Sequence, residues 1–266
     1  MVSAARTAVK RALSLAHSSM PAEGMTILTY HRVGGPAYDE LDISRESFTE
    51  QLDVLTAHRV LSIDAALDAL DTVDRSPSVV LSFDDGFADV YDHAWPLLQE
   101  RQLPFVLYLA SAYVGGAMRW SGQTARDADA LGLEWDQIRE MVRSGLCTLG
   151  NHTHSHVPPQ LSSVGELDRC NEMVQRHVGV RPQHFAYPWG VPVPVLSDAL
   201  RTRFRSAATG RLGRNLPGTD RMLLARLPVR RSDPLSFFRA KLVGGLFTER
   251  AYGSIVSTAK RVGVHA

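Results

Sequence analysis

Cysteine is almost missing: Cys147 and Cys170 are the only two in 266 residues, so no disulfide framework is indicated. Cys147 lies in an apolar approach to a histidine-rich stretch, where a small buried thiol packs well. No apolar run is long enough to span a bilayer. The opening Met1 to Gly24 sets Arg6, Lys10 and Arg11 among small residues and lacks the continuous apolar core of a secretory signal. That segment reads as an amphipathic helix lying on the domain, with peripheral contact to a membrane surface as the alternative, and the cytoplasm is the expected compartment. An excess of one charge is missing too: 29 basic against 28 acidic residues give a net charge of +1 and no footprint of a nucleic-acid binder. Late arginines, Arg201 to Arg214 and then Arg226, Arg230 and Arg231, read as a solvated face. What remains, 44% hydrophobic residues without repeats, suffices for one large α/β domain.

The chain is organised around Ser78-Val79-Val80-Leu81-Ser82-Phe83-Asp84-Asp85-Gly86. An apolar, β-branched run of this kind reads as a strand buried on both faces of a parallel sheet, and it stops at two carboxylates and a glycine. Adjacent aspartates are costly to bury ionised, so a cation or several hydrogen bonds must hold at least one of them. Farther along, Gly150-Asn151-His152-Thr153-His154-Ser155-His156 places His152 and His156 four residues apart, a spacing that lets both share one face of a helical turn. Two imidazoles and one carboxylate make a catalytic metal site with open positions.

Strand and helix signals alternate. Thr26–Tyr30 reads as a strand delivering His31 at its end, Ser47–Glu50 opens a helix with a capping-box pattern, Val60–Ile63 is a short strand, and Asp64 caps the helix after it. Phe87–Gln102 is helical around Pro96, Leu103–Ala110 is a strand, and the long polar loop from Gly115 to Leu133 sits at the rim. Helix at Glu134–Ser144, strand at Leu146–Gly150, helix at Val164–Val178, strand at His184–Tyr187 and helix at Val195–Phe204 follow. Strands at Ser206–Thr209 and Leu223–Val229, then helices at Pro234–Leu242 and Thr248–Lys260, complete the chain. Such alternation predicts right-handed crossovers and a parallel sheet of about seven strands, closed into a barrel or open and doubly wound.

Ser-Phe-Asp-Asp-Gly at 82–86, the histidine stretch ending in His156, Thr29-Tyr30-His31-Arg32-Val33 and Phe185-Ala186-Tyr187-Pro188-Trp189-Gly190 together resemble the NodB-type polysaccharide deacetylases, carbohydrate esterase family 4. The resemblance covers about residues 25 to 230 and implies a distorted (β/α) barrel. It divides the chain into an amphipathic segment 1–24, a catalytic domain 25–232 and a helical extension 233–266. It implies Asp85, His152 and His156 as ligands of a divalent metal, zinc first with cobalt, nickel or iron also suited. Asp84 would be the general base, and the Trp189 N–H would face the oxyanion, with the Trp189 or Tyr187 ring against the sugar.

Two departures stand out. The family places an arginine where this chain has Ala186, and Arg226 is the candidate to replace it beside Asp84. The late Leu-x-x-His signature that carries the acid is also absent, and the Tyr-His-Arg-Val stretch resembles the permuted poly-N-acetylglucosamine deacetylases, so His31 takes the acid role, with His154 and His184 as alternatives. The implied activity is removal of N-acetyl groups from an amino sugar in an oligosaccharide, polysaccharide or glycolipid precursor. Cyclic amide or imide hydrolysis, and an inactive carbohydrate-binding barrel, are the alternatives.

Overall fold

Apolar strands buried on both faces have to be covered on both sides, and the chain does this with helices outside a curled parallel sheet. The computed structural model describes residues 2–15, 23–35, 39–72, 76–120, 130–243 and 246–261. In order come α1 (Val2–Ser14), β1 (Met25–Tyr30), β2 (Arg32–Val33), β3 (Asp42–Ile43), α2 (Arg45–Leu55), α3 (Ile63–Asp71) and β4 (Ser78–Asp85). Then follow α4 (Trp95–Glu100), β5 (Phe105–Leu109), α5 (Trp135–Arg143), β6 (Cys147–Asn151), α6 (Val164–Val178), β7 (His184–Ala186), α7 (Ser197–Arg203), β8 (Ser206–Ala208), β9 (Leu227–Pro228), α8 (Leu235–Leu242) and α9 (Phe247–Arg261). Parts of the two flanking segments, 16–22 and 262–266, and the middle of the rim loop, 121–129, lie outside the described residues.

Seven strands form one sheet in the order β8-β7-β6-β5-β4-β1-β9, parallel at every pairing. The sheet curls until its edges meet: Leu224, just before β9, bridges Ala208 of β8 in parallel, and the Arg226 N–H donates to the Arg211 carbonyl. The fold is therefore the distorted barrel, not an open doubly wound sheet. All eight residues of β4 are buried. Alternation along the strands sends Leu81, Phe83, Phe105 and Leu107 outward, and Ile27, Val80, Val106 and Tyr108 into a separate inner core. Tyr30, Phe48, Phe83 and Phe105 form a continuous aromatic set on the outer face, with ring centroids 5.3 to 6.0 Å apart, which fastens α2 to the sheet.

Several local expectations change. The cap of α2 is Ser44, whose Oγ accepts the Ser47 N–H at 3.2 Å, so the helix begins before Ser47. Val60 makes one bridge, to Val79, and residues 60–63 are no strand, because Ile63 already opens α3. Ser62 caps that helix, accepting the Ala65 N–H, while Asp64 is drawn instead to Arg205 at 2.5 Å. The expected strand at 223–229 shrinks to Leu227–Pro228, since Arg221–Leu223 forms a single helical turn. Between 87 and 102 the helix starts with a π-helical turn at Val90–Ala94, and Pro96 stands directly after it, in the first turn of α4.

Candidate active site

Strand register assembles the site before any side-chain chemistry is considered. Thr29 pairs with Ser82, Asp84 with Tyr108, and Tyr108 with Gly150. Alternation then carries His31, Asp84 and His152 toward the same inner face at the C-terminal rim, where parallel barrels keep their chemistry. Gly150 is required in this layer, since a Cβ there would overlap the Tyr108 ring.

Alternation should also send Asp85 to the opposite face from Asp84. It does not, because β4 ends in a kink: Asp85 has φ 74° and Gly86 φ 96°. The Asp85 carbonyl is held by the Ala110 N–H and the Gly86 carbonyl by the Leu133 N–H. Thr153 (φ 64°), His156 (φ 48°) and Trp189 (φ 62°) share this left-handed backbone. Four of the six non-glycine residues of that kind among the described residues thus sit at one rim, as strain does where a site must be aimed.

The same strain replaces the helical turn expected for His152–His156. These residues form a bend, and the two rings converge because Thr153 and His156 each reverse the chain. The bend is bolted down from four sides. Asn151 Oδ1 accepts the Thr153 N–H at 2.8 Å, and Glu166 Oε2 accepts the Ser155 N–H at 2.7 Å. The Tyr113 hydroxyl donates to the Ser155 carbonyl at 2.9 Å, and the Ala112 N–H donates to the His154 carbonyl at 2.8 Å.

Asp85 Oδ1 lies 3.3 Å from His152 Nε2 and 3.3 Å from His156 Nε2, and it is buried without a hydrogen bond. With metal–ligand distances of about 2.0–2.1 Å, the edge of a coordination tetrahedron is about 3.3–3.4 Å, so these two distances match two edges of one, and the three ligand atoms all lie within 4.8 Å of one another. Tautomer chemistry agrees. His152 Nδ1 sits 2.8 Å from the Ala186 carbonyl, which only accepts, so the proton is on Nδ1 and the Nε2 lone pair is free for a cation. Without a cation, burial would raise the Asp85 pKa, but His152 and His156, when they carry a proton toward it, override burial and hold the carboxyl well below its ordinary range. These three residues are the one group of metal-ligating type and spacing among the described residues.

Asp84 stands beside this cluster with its two oxygens differently employed. Oδ1 accepts a hydrogen bond from Arg226 Nη1 at 2.7 Å. Oδ2 faces the site, 4.0 Å from both His152 Nε2 and His31 Nε2. Burial pushes the Asp84 pKa up, yet Arg226, His152 and His31 together bring it below the usual value, so the group stays ionised. Arg226 is only 4% exposed and is itself fixed, its Nε donating to the Thr209 carbonyl at 2.9 Å and its guanidinium lying 5.7 Å from the Tyr108 ring centre. It stands on the neighbouring wall of the barrel from Ala186 and brings a guanidinium to Asp84 from there.

A cavity of about 310 Å³ opens over these groups, lined also by Thr29, Arg32, Asp39, Leu41, Trp120 and Pro228. Trp189 lines it and is 42% exposed. Tyr187 does not: its ring packs against Phe185 at 5.1 Å in a core 3% exposed, and its hydroxyl donates to the Met222 carbonyl. Tyr187 is therefore withdrawn as a sugar-stacking residue. Neither alternative acid reaches the cavity. His154 Nδ1 is paired with Ser111 Oγ at 2.9 Å, and His184 is buried between Ser206 Oγ at 2.9 Å and Asp64 at 3.3 Å. Sequence reasoning missed Trp120, whose ring lies 4.4 Å from that of His156. The rim loop was legible as a binding element, but nothing in it said which residue would turn inward.

A carboxylate–imidazole cluster beside a second, arginine-held carboxylate, at the rim of a curled parallel barrel, defines a hydrolase-type site. The sequence profile of the polysaccharide deacetylase family matches residues 72–205, and the chain belongs to that family. It is similar to the poly-β-1,6-N-acetyl-D-glucosamine N-deacetylase of Escherichia coli, with 29% identity over 163 residues, 58% of this chain. That match spans about a quarter of the relative, 24% of its length. Among solved structures, IcaB from Ammonifex degensii superposes with a TM-score of 0.72 at 29% identity, over 85% of this chain and 100% of that one. A polysaccharide deacetylase from Bacillus cereus shares the fold, with a TM-score of 0.69 at 19% identity, over 83% of this chain and 69% of that one.

Proposed function

We propose that this protein is a metal-dependent N-deacetylase acting on N-acetylated amino sugars, with β-1,6-linked N-acetylglucosamine polymers and oligomers as the substrate class. The observation that carries this reading is the convergence, in one cavity, of Asp85, His152 and His156 with an arginine-held Asp84 and with His31. The similarity to a poly-β-1,6-N-acetyl-D-glucosamine N-deacetylase supports the choice of sugar.

Amide hydrolysis needs a polarised carbonyl, an activated water and a protonated leaving nitrogen. Asp85, His152 and His156 would hold a divalent ion, zinc by preference, which supplies Lewis-acid polarisation and a more acidic water. Asp84 Oδ2 takes the proton of the attacking water, because Oδ1 is committed to Arg226. The Trp189 N–H donates to the oxygen that gains charge at the acetyl carbon. His31, just past the end of β1 and with its Nε2 4.0 Å from Asp84 Oδ2, gives a proton to the departing amine.

Arg226 would hold Asp84 in position. Arg226→Ala is expected to lower kcat by about tenfold to a hundredfold, the size of losses when a residue supporting a metal-site ligand is removed. Metal content should stay at the wild-type level. Equal kcat in the variant, measured by acetate release, would remove the role. For the function itself, acetate release should be followed on a panel of N-acetylated sugars, and ring opening on cyclic imides. Turnover of acetylated sugar oligomers is the expected result; turnover of imides alone, or of nothing, overturns it.

A further inference from the structure

We propose that α1 is a working part of the active site, positioning through the buried amine of Lys10 the cavity wall formed by Asp39, Leu41 and Pro228; this rests on the deacetylase reading above. Lys10 is 0% exposed, and a helix that only covered apolar surface would gain nothing from burying an ammonium group there. Its Nζ is a branch point. One branch runs to Ser232 Oγ at 2.7 Å, and Ser232 Oγ in turn donates to Glu40 Oε2 at 2.5 Å. Glu40 sits between Asp39 and Leu41, and its carbonyl accepts the Arg231 N–H at 2.8 Å. Arg6 of α1 reaches the same carboxylate at 3.3 Å.

The other branch runs to Asp233 Oδ1 at 2.6 Å. Asp233 Oδ2 is ion-paired with Lys241 Nζ at 2.7 Å, and that amine donates to the Pro228 carbonyl at 2.5 Å. Lys241 is also ion-paired with Glu249 at 2.6 Å, so two buried ammonium groups face two buried carboxylates. Ser14 Oγ, whose own hydrogen goes to the Arg11 carbonyl, is hydrogen-bonded with Ser236 Oγ at 2.8 Å and keeps α1 seated on α8. Two short relays thus link one helix to two stretches of wall that are separated by almost the whole chain, from Asp39 to Pro228. Burial lowers the Lys10 pKa while Asp233 supports the charged form.

Ser232→Ala cuts the Glu40 relay without a change of charge, and Lys10→Met cuts both relays; the first keeps the test open should the second fold poorly. Each is read two ways in the full-length protein. Amide hydrogen exchange across residues 39–42 needs no substrate, and it is expected to quicken in both variants. Michaelis kinetics on an N-acetylglucosamine oligomer should show KM raised by about twofold to tenfold in Ser232→Ala, the worth of one hydrogen bond. Its kcat, its metal content and its rate on 4-nitrophenyl acetate, which carries no sugar for the wall to hold, should be unchanged. Unaltered exchange at 39–42 overturns the proposal, and so does faster exchange with an unaltered KM. Were wild type inactive on every acetylated sugar, the deacetylase reading would fail, and the wall's role in substrate binding would fail with it, whatever the exchange data showed.

Discussion

Asp85→Ala is expected to fold, to bind no stoichiometric zinc and to lose acetate release by more than the roughly tenfold to hundredfold that a supporting residue costs. The fold should survive because Asp85 is the last residue of β4, at the rim, and belongs to none of the apolar clusters that hold the barrel together. The two imidazoles hold the Asp85 pKa down, so the ionised carboxylate stabilises the metal-free chain at neutral pH, and alanine fits φ 74° less well than aspartate; the apo variant should therefore melt somewhat lower than apo wild type. Added zinc should raise the Tm of wild type, since an ion bound by the native state alone stabilises it by mass action, and should leave the variant where it was. Metal analysis and a melting curve with and without zinc check this. A variant that still takes up one equivalent of zinc would move the metal away from Asp85.

His31→Ala should keep its metal and fold and lose about a hundredfold to ten-thousandfold in kcat on an N-acetyl sugar, the range for a general acid. Position supports the size of the effect. Its Nε2 is 4.0 Å from Asp84 Oδ2, and the other two histidines considered are engaged outside the cavity by Ser111 and Ser206. An amide leaves as a poor anion unless it is protonated, whereas an activated ester leaves unaided. The variant should therefore hydrolyse 4-nitrophenyl acetate at a rate far nearer to wild type than its rate on the amide. Equal losses on both substrates would make His31 a binding or structural residue.

The strand carrying Asp84 was legible because its composition and its place in the sheet agree: an eight-residue apolar run is buried on both faces and ends in the site. His31 was legible for the same reason, at the end of β1. Arg226 could be picked out beside Asp84 only through the missing arginine at Ala186, and its 2.7 Å contact depends on the sheet curling until the stretch before β9 faces β4. What failed was aim. A spacing of four residues suggested a helical turn for His152 and His156, but Thr153 and His156 take left-handed backbone, held by the neighbouring Asn151 and by Glu166 and Tyr113 from other elements. Tyr187 and Trp189 are two residues apart with similar rings, and the kink at Trp189 alone exposes one while the other stays in the core. Nothing near Lys10 separated it from Arg6 and Arg11 in the opening segment, because its buried partner, Asp233, lies 223 residues away in sequence. Local pattern reads strands and their ends well; it does not read contacts whose partners are distant.

The most direct measurement is acetate released from β-1,6-linked N-acetylglucosamine oligomers by wild-type protein stripped of metal and then titrated with zinc or cobalt. Release should be absent from the stripped protein and should return in full near one equivalent of ion. Undiminished release by protein free of metal, in the presence of a strong chelator, would contradict the assignment of Asp85, His152 and His156.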